Sequence, residues 1–471
     1  MNTDSTNSAA AAPSRPQPSR IRKFLTQLAG RSDDSLSPHW ADTPTGLVAR
    51  ARGAFAEAET DATPALIAAK TEQARHFDVD NMHRVVSVCR WGSSGSLLVA
   101  SNLDGHEDVV LLPGNLGSAI YPFFECHPEL SLEEKLLAYP FANVDGFDHA
   151  HFYFRGDHPV TTADYYAAVQ ALLGVYSDRP AEVLESRRTF FRCLHIAYAM
   201  AAGCMPAGER PLMVYAQALP NDLLARFLVE DFPQACFIHT VRDPVTNVGR
   251  IFEHDLKPHG FLAPLYVVAR LTFGDKAHPG MESRTRAVRF EDLHLRQEEA
   301  MRAIAAWVGI TFRPSLLEST WNSSSYTWKP RTGAKGWSGP RPEQAKRNSK
   351  NVSFLDRGLL YANFNEDFMQ WRYPCPGVCR FAPVRMLMLL LLVLLPTRME
   401  WATASLALKA GGTKKTVKAL AQLCLGRAAI VSLFVADLFR RLTGRKRVLE
   451  LLPLPAQDDG GAPLAAEPAA R

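Results

Sequence analysis

Hydrophobic positions along this chain fall into two kinds of pattern. Short, mainly apolar runs of about six residues occur at Arg84–Cys89 (RVVSVC) and Cys236–Val241 (CFIHTV, with one His). They are too short for helices and rich in β-branched residues, which predicts parallel strands covered on both faces. Helical spacing appears in Thr45–Arg75, which is Ala-rich, and in LLVASNLDGH, which follows the first run after a Gly/Ser turn. It recurs in Thr189–Ala202, in Asn221–Val229 behind a Pro220-Asn221 cap, and in Gln297–Val308. Ile21–Leu28 is expected to start a short amphipathic helix. A helix directly before the second apolar run is the order a βαβ unit requires. Residues 115–180 mix aromatics, His and Pro and read as an inserted, substrate-facing region. No internal repeat is present.

Composition changes this picture mainly at the two ends. With 471 residues, of which 47% are hydrophobic and 21% charged, the chain can bury a large core. Residues 1–20 offer too little apolar surface to repay ordering and are expected to be a disordered tail. They also lack the charged start and apolar core of a secretory signal, which predicts a cytoplasmic protein. The eight cysteines are scattered, and only Cys375 and Cys379 lie close together, in CPGVC. That pair suits a Pro/Gly turn better than a metal site, and no metal is expected.

Charge is placed unevenly. Between Lys409 and Arg447 ten Lys or Arg residues face one acid, Asp437, a local +9 in a chain of net +5, so the remainder carries −4. A mildly acidic remainder argues against nucleic acid as a partner, whereas the basic stretch suits an anionic membrane surface. Just before it, Met386–Leu395 (MLMLLLLVLL) is apolar but short of the ~20 residues that span a bilayer. It reads either as a buried core helix or, with the basic residues beyond it, as an in-plane anchor giving peripheral membrane contact through residues 381–447.

The candidate chemistry sits where the apolar runs end. Arg242-Asp243-Pro244 closes the second run, and in open α/β sheets the carboxyl ends of strands face the ligand crevice. A guanidinium there can hold a phosphate or sulfate through its planar fork. In isolation the same Arg reads as the partner of Asp243 at an ordinary strand end. The first run leads into Gly92-Ser93-Ser94-Gly95-Ser96, a Gly/Ser loop before a helix, whose amides and hydroxyls can converge on an anion. The loop has no Lys and lacks the GxxxxGK[ST] spacing, which disfavours an NTP-dependent kinase or ATPase.

Taken in order, the strand, the SGS loop and helix ending in LDGH, the Asn221 helix, FPQACFIHTVRDP and RFEDL resemble the sulfotransferase family that uses 3'-phosphoadenosine 5'-phosphosulfate (PAPS). The resemblance spans roughly residues 84–330, and FEDLHLRQEEAMRAIAAWVGITFRPSLLEST is similar to bacterial members. It implies an α/β fold with a P-loop-like parallel sheet flanked by helices, here with a helical C-terminal extension. The expected organisation is a tail at 1–20, the sulfotransferase-like domain at 21–375, an apolar and basic helical region at 376–450, and a disordered tail at 451–471.

The resemblance further implies that Ser94, Gly95 and Ser96, with the flanking Ser93 and Leu97, hold the 5'-phosphosulfate, and that Arg242 holds the 3'-phosphate. Residues 331–337 (RTGAKGW) resemble the basic, Gly-containing segment that closes over that phosphate, with Arg331 and Gly333 as its ligands; the alternative is a solvated basic loop. Four positions depart from the family's pattern. Ser93 stands where Lys or Arg precedes SG, leaving Arg90 as the nearby loop cation. Leu97 replaces a hydroxyl. Arg250 replaces the second 3'-phosphate ligand, a Ser, with a cation. Gly114 stands where one kind of member has its Glu base, so the base is sought among His127, His149, His151 and His158. His149 and His151 are favoured, because Asp148 in DHAHF can orient an imidazole. The reading is sulfuryl transfer from PAPS to a hydroxyl of a glycan or lipid-linked acceptor at the inner face of a membrane. The alternative is a sulfotransferase-like protein that binds a nucleotide or anion without catalysis.

Overall fold

The computed structural model describes residues 62–89, 94–112, 120–144, 160–217, 222–250, 280–325, 338–346, 352–377 and 449–454, apart from positions 76, 78 and 209, together with scattered positions in 46–56 and 381–439. Five strands form its central sheet: β1 (Arg84–Cys89), β2 (Val109–Leu112), β3 (Leu212–Gln217), β4 (Cys236–Val241) and β5 (Thr285–Arg289). Their order is β2-β3-β1-β4-β5, and every pairing is parallel. The fold is thus the expected parallel α/β sheet flanked by helices.

Alternate residues of each strand enter two separate cores, which is why the strands read as continuous apolar runs. Val85, Cys89, Met213, Tyr215 and Phe237 point to one face. Val86, Val88, Val214, Ile238 and Val288 point to the other. The first face is covered by α1 (Pro64–Arg75) and the second by α2 (Ser96–Asp104). Then α3 (Ile120–Cys126), α4 (Leu132–Val144), α5 (Thr162–Tyr176), α6 (Arg187–Ala202) and α7 (Asp222–Asp231) return to the first face. Residues 244–250 form α8. A short α9 (Phe290–Leu295) follows β5 directly, and α10 (Gln297–Val308) packs on the second face beside α2.

Part of the region expected to face substrate belongs to the core. Phe123 of α3, Tyr139 of α4 and Tyr165 of α5 are among the largest fully buried side chains. The aromatics of 120–144 and 160–176 therefore fill the first-face core, while residues 113–119 and 145–159 lie outside the described residues.

Beyond the sheet, α11 (Phe354–Asn363) starts at a capping box in which Ser353 accepts from Asp356 N and the Asp356 carboxylate accepts from Ser353 N. The next helix, α12 (Asn365–Gln370), leads to buried Trp371 and Tyr373. The chain returns at Leu449–Leu452, where Leu451 bridges Ala287 in parallel. Ala287 N donates to Glu450 O at 2.7 Å and Leu452 N to Ala287 O at 2.8 Å. This segment covers the β5 edge, which would otherwise present unpaired backbone groups. The expected start of a disordered tail at residue 451 therefore falls inside a segment that packs on the sheet, because Leu452 joins the second-face core and buried Leu449 accepts a hydrogen bond from Trp371 Nε1. Residues 1–45 and 455–471 lie outside the described residues. Among the described residues, no helix is long and apolar enough to cross a membrane.

Candidate functional site

Strands β1 and β4 are neighbours, with Cys89 opposite His239. The chain leaves them in opposite directions, through α2 toward β2 on one side and through α8 toward β5 on the other. That arrangement opens a crevice at the carboxyl ends of the two strands, and the SGS loop and Arg242 are the segments that emerge there.

On the β1 side, Gly95 is the N-cap of α2 with φ +92°, ψ 6°. Its amide geometry needs the left-handed region, and space forbids a side chain as well. A Cβ at Gly95 would lie 2.7 Å from Cδ2 of Phe290. The buried Ser94 hydroxyl lies 2.8 Å from Oγ1 of Thr240 on β4 and ties the loop to the neighbouring strand. Ser96 and Leu97 occupy the first turn of α2, where amides lack intrahelical acceptors and the helix dipole is positive.

On the β4 side, the sequence Asp243-Pro244 has a local reason. The Asp243 carboxylate accepts from Thr246 N at 2.8 Å, as an N-cap does, and Pro244 opens α8 at the position that needs no N–H. Arg242, 2% exposed, lies just before this cap. Its Nη2 donates to the Gln344 carbonyl at 2.8 Å, and its guanidinium lies 3.9 Å from the ring centroid of Phe290. Burial, together with the charge of Arg250, pushes its pKa down to about 10, partly offset by Glu291. It is still a cation at neutral pH. About two helical turns further on, Arg250 Nη2 donates to the Gln344 side-chain oxygen. Gln344 comes from a one-turn helix, Pro342–Ala345, so this turn is bonded to both arginines.

Segment RFEDL joins the two sides. Phe290 stands between Gly95 and the Arg242 guanidinium. Glu291, buried, accepts from Asp243 N at 3.2 Å and from the Tyr373 hydroxyl at 2.6 Å. Burial raises its pKa, while the two hydrogen bonds work in the opposite direction. The Arg289 guanidinium lies 4.7 Å from the Tyr373 ring centroid and 3.8 Å from the Asp292 carboxylate. The His294 ring packs 4.3 Å from that of Phe290, and its Nδ1 accepts from Arg341 N at 2.8 Å. Burial and then Arg242 lower His294 to about 4, so it is neutral at pH 7.

Of the residues expected at the site, Ser94, Gly95, Arg242 and Arg250 are brought together by Thr240, Phe290 and Gln344, with Ser96 and Leu97 adjoining. Arg90, Ser93, His149, His151, Arg331 and Gly333 lie outside the described residues. His127 is 2% exposed and packs 4.9 Å from Phe123 in the first-face core. Asn102 and the LDGH residues that follow it act as clamps. Asn102 donates to Leu316 O at 2.7 Å, Asp104 accepts from Ser323 N at 2.9 Å, and a His106 ring nitrogen lies 2.7 Å from Thr311 O. Sequence reasoning missed Phe290, Glu291, Tyr373 and Gln344 as parts of the site. Only the RFEDL pattern pointed toward the first two, and Tyr373 and Gln344 carried no signal. Among the described residues, no group of three or more His, Cys, Asp or Glu is placed to hold a metal ion.

No curated protein matches the chain. Solved structures similar to it include the sulfotransferase domain of the Synechococcus olefin synthase, at 18% identity, covering 50% of this chain and 77% of that one with a TM-score of 0.32. Another is the sulfotransferase domain from the curacin biosynthetic pathway, at 17% identity, 63% and 99% coverage and a TM-score of 0.34. A sulfotransferase from Mycobacterium avium is 14% identical, with 63% and 79% coverage and a TM-score of 0.26. A model described as the sulfotransferase family matches residues 94–314. That span starts at the SGS loop and contains Arg242, Arg250 and the RFEDL segment, so over just under half of its length the chain is similar to the sulfotransferase family.

Proposed function

We propose that the protein transfers a sulfuryl group from PAPS to a hydroxyl of a glycan or lipid-linked acceptor at the inner face of a membrane. The observation that carries the nucleotide half of this reading is the pair of arginines at the β4 end. Arg242 is buried, lowered by burial and by Arg250, and stacked on the ring that also closes over Gly95. Two neighbouring cations with little water around one of them favour a doubly charged anion such as a 3'-phosphate. Amides and hydroxyls of residues 93–97 would take the 5'-phosphosulfate at the start of α2.

In the reaction, the acceptor oxygen forms a bond to sulfur as the bond from sulfur to the 5'-phosphate oxygen breaks. The acceptor proton passes to a base, for which His149 and His151 are the candidates, with Arg90 available to offset charge on the leaving phosphate. Positioning and charge stabilisation are the protein's contribution, because PAPS itself carries the reactive group. A binding-only role is the second reading, supported by Ser93 and Gly114 at positions where the family has a cation and a base.

Calorimetric titration with adenosine 3',5'-bisphosphate followed by sulfate transfer from labelled PAPS to a panel of hydroxyl acceptors separates the two. Binding with transfer is expected. Binding without transfer to any acceptor favours the second reading, and no binding sinks both. Arg242→Ala is expected to weaken nucleotide binding by about 2–4 kcal/mol, roughly 30- to 900-fold, through loss of a desolvated charge pair. An unchanged affinity would remove Arg242 from the site.

A further inference from the structure

Both arginines of the candidate site meet one neutral residue. Arg242 Nη2 donates to the Gln344 carbonyl at 2.8 Å, and Arg250 Nη2 donates to Oε1 of the same residue. Gln344 thus sets two oxygens against two guanidiniums, as a phosphate does with two of its own. The choice of an amide matters. After burial, the charge of Arg250 is the next cause that lowers Arg242, so the two cations repel each other. An amide oxygen satisfies their N–H groups without neutralising either, whereas a carboxylate there would form a lasting ion pair. The acid in this turn, Glu343, pairs with Arg341 at 3.1 Å instead.

The two sides of this contact are held very differently. Among residues Pro342–Ala345 none is buried. The turn begins where Arg341 N donates to Nδ1 of His294 at 2.8 Å, and Gln344 N closes it on Arg341 O at 2.9 Å. A segment with so little buried surface opens at small cost. Arg242, by contrast, is 2% exposed, and its guanidinium lies 3.9 Å from the ring centroid of Phe290. The residue after it is fixed as well, since Asp243 N donates to the buried Glu291 carboxylate at 3.2 Å. In an exchange of partners the arginines therefore stay and Gln344 moves.

We propose that Gln344 is a displaceable stand-in for the 3'-phosphate: its two oxygens hold Arg242 and Arg250 when no nucleotide is bound and give way to phosphate oxygens when one binds. The inference rests on the nucleotide reading given above. A resident neutral ligand keeps a buried cation hydrogen-bonded throughout the cycle, where leaving it unpaired is costly. It also lowers the affinity for any ligand that needs both arginines, including the product adenosine 3',5'-bisphosphate, and so favours product release.

Calorimetric titration of the full-length protein tests this with two probes, adenosine 3',5'-bisphosphate and adenosine 5'-monophosphate, which lacks the group that exchanges. Gln344→Ala removes the side-chain competitor. It should tighten bisphosphate binding by about 3- to 10-fold and change monophosphate binding by less than about twofold. Gln344→Glu sets an anion against Arg250 and should weaken bisphosphate binding by about 10-fold or more. In the wild type, hydrogen exchange across residues 341–345 should quicken as the bisphosphate saturates the protein, because the turn loses its arginine contacts. Equal or weaker bisphosphate binding by Gln344→Ala would overturn the proposal, since a residue that supports the arginines or touches the nucleotide gives that sign. Tightening of both probes alike would do the same, as would slower exchange across 341–345, which marks a turn that closes on the phosphate. Wild-type protein that binds neither probe would strike the proposed activity together with the exchange, whereas bisphosphate binding that Gln344→Ala leaves unchanged strikes the exchange alone.

Discussion

Gly95→Ala probes the point where the loop, the RFEDL segment and Arg242 meet. Two costs can be worked from the structure. At φ +92° an L residue lies outside its preferred backbone regions, a strain of about 1–2 kcal/mol. The added Cβ would also lie 2.7 Å from Phe290 Cδ2. Phe290 cannot easily retreat, since the Arg242 guanidinium lies 3.9 Å from its centroid and the His294 ring 4.3 Å away. Relieving that overlap costs a further ~1–3 kcal/mol. The expected loss is therefore about 2–5 kcal/mol in urea unfolding followed by tryptophan fluorescence, accompanied by weaker binding of adenosine 3',5'-bisphosphate as Phe290 moves the guanidinium. Adding Phe290→Leu removes the overlap and leaves the backbone strain. The double variant should then be more stable than the sum of the single effects by at least about 1 kcal/mol. A Gly95→Ala loss below about 1 kcal/mol, or strict additivity in the double variant, would refute the account of how the loop is held.

Two further substitutions test the supports of the site. Asp104 is buried and, mainly through desolvation, raised from 3.8 to about 6. A carboxyl whose folded pKa lies above its unfolded value contributes stability below about pH 4 that is lost as pH rises through 6. Asp104→Asn should remove that component, on the order of 3 kcal/mol, so the wild-type and variant urea midpoints should diverge between pH 4 and 6.5. Parallel curves would contradict the shift. Tyr373→Phe takes one of two hydrogen-bond donors from the buried Glu291 carboxylate and should cost about 1–3 kcal/mol in the same unfolding assay. Glu291→Gln in that background should recover part of the loss. A change under about 0.5 kcal/mol would show that the hydroxyl is not needed there.

Local pattern carried the elements whose environment is uniform. Arg84–Cys89 and Cys236–Val241 are apolar on both sides because helices cover both faces of the sheet, and that fact is written in the run itself. β2 and β3 were not legible in the same way: VVLL is only four residues long, and LMVYAQ begins directly after a Pro. Aromatics in 115–180 suggested a ligand-facing surface, yet Phe123, Tyr139 and Tyr165 are core residues. Aromatic content alone does not distinguish the two, since a pocket wall and a large core both need broad apolar surfaces.

By itself, the sequence determined the sheet class, the SGS and RDP segments that end adjacent strands, and the uneven charge of the C-terminal region. Tertiary structure decided what surrounds them. Phe290 lies some two hundred residues from Gly95, and Gln344 about one hundred from Arg242, and no local preference encodes such contacts. Arg242 became a buried cation because β4, α9 and the Pro342–Ala345 turn converge on it. The return of Leu449–Leu452 to β5 is likewise a long-range event: an exposed strand edge and two leucines complete each other only once the sheet exists.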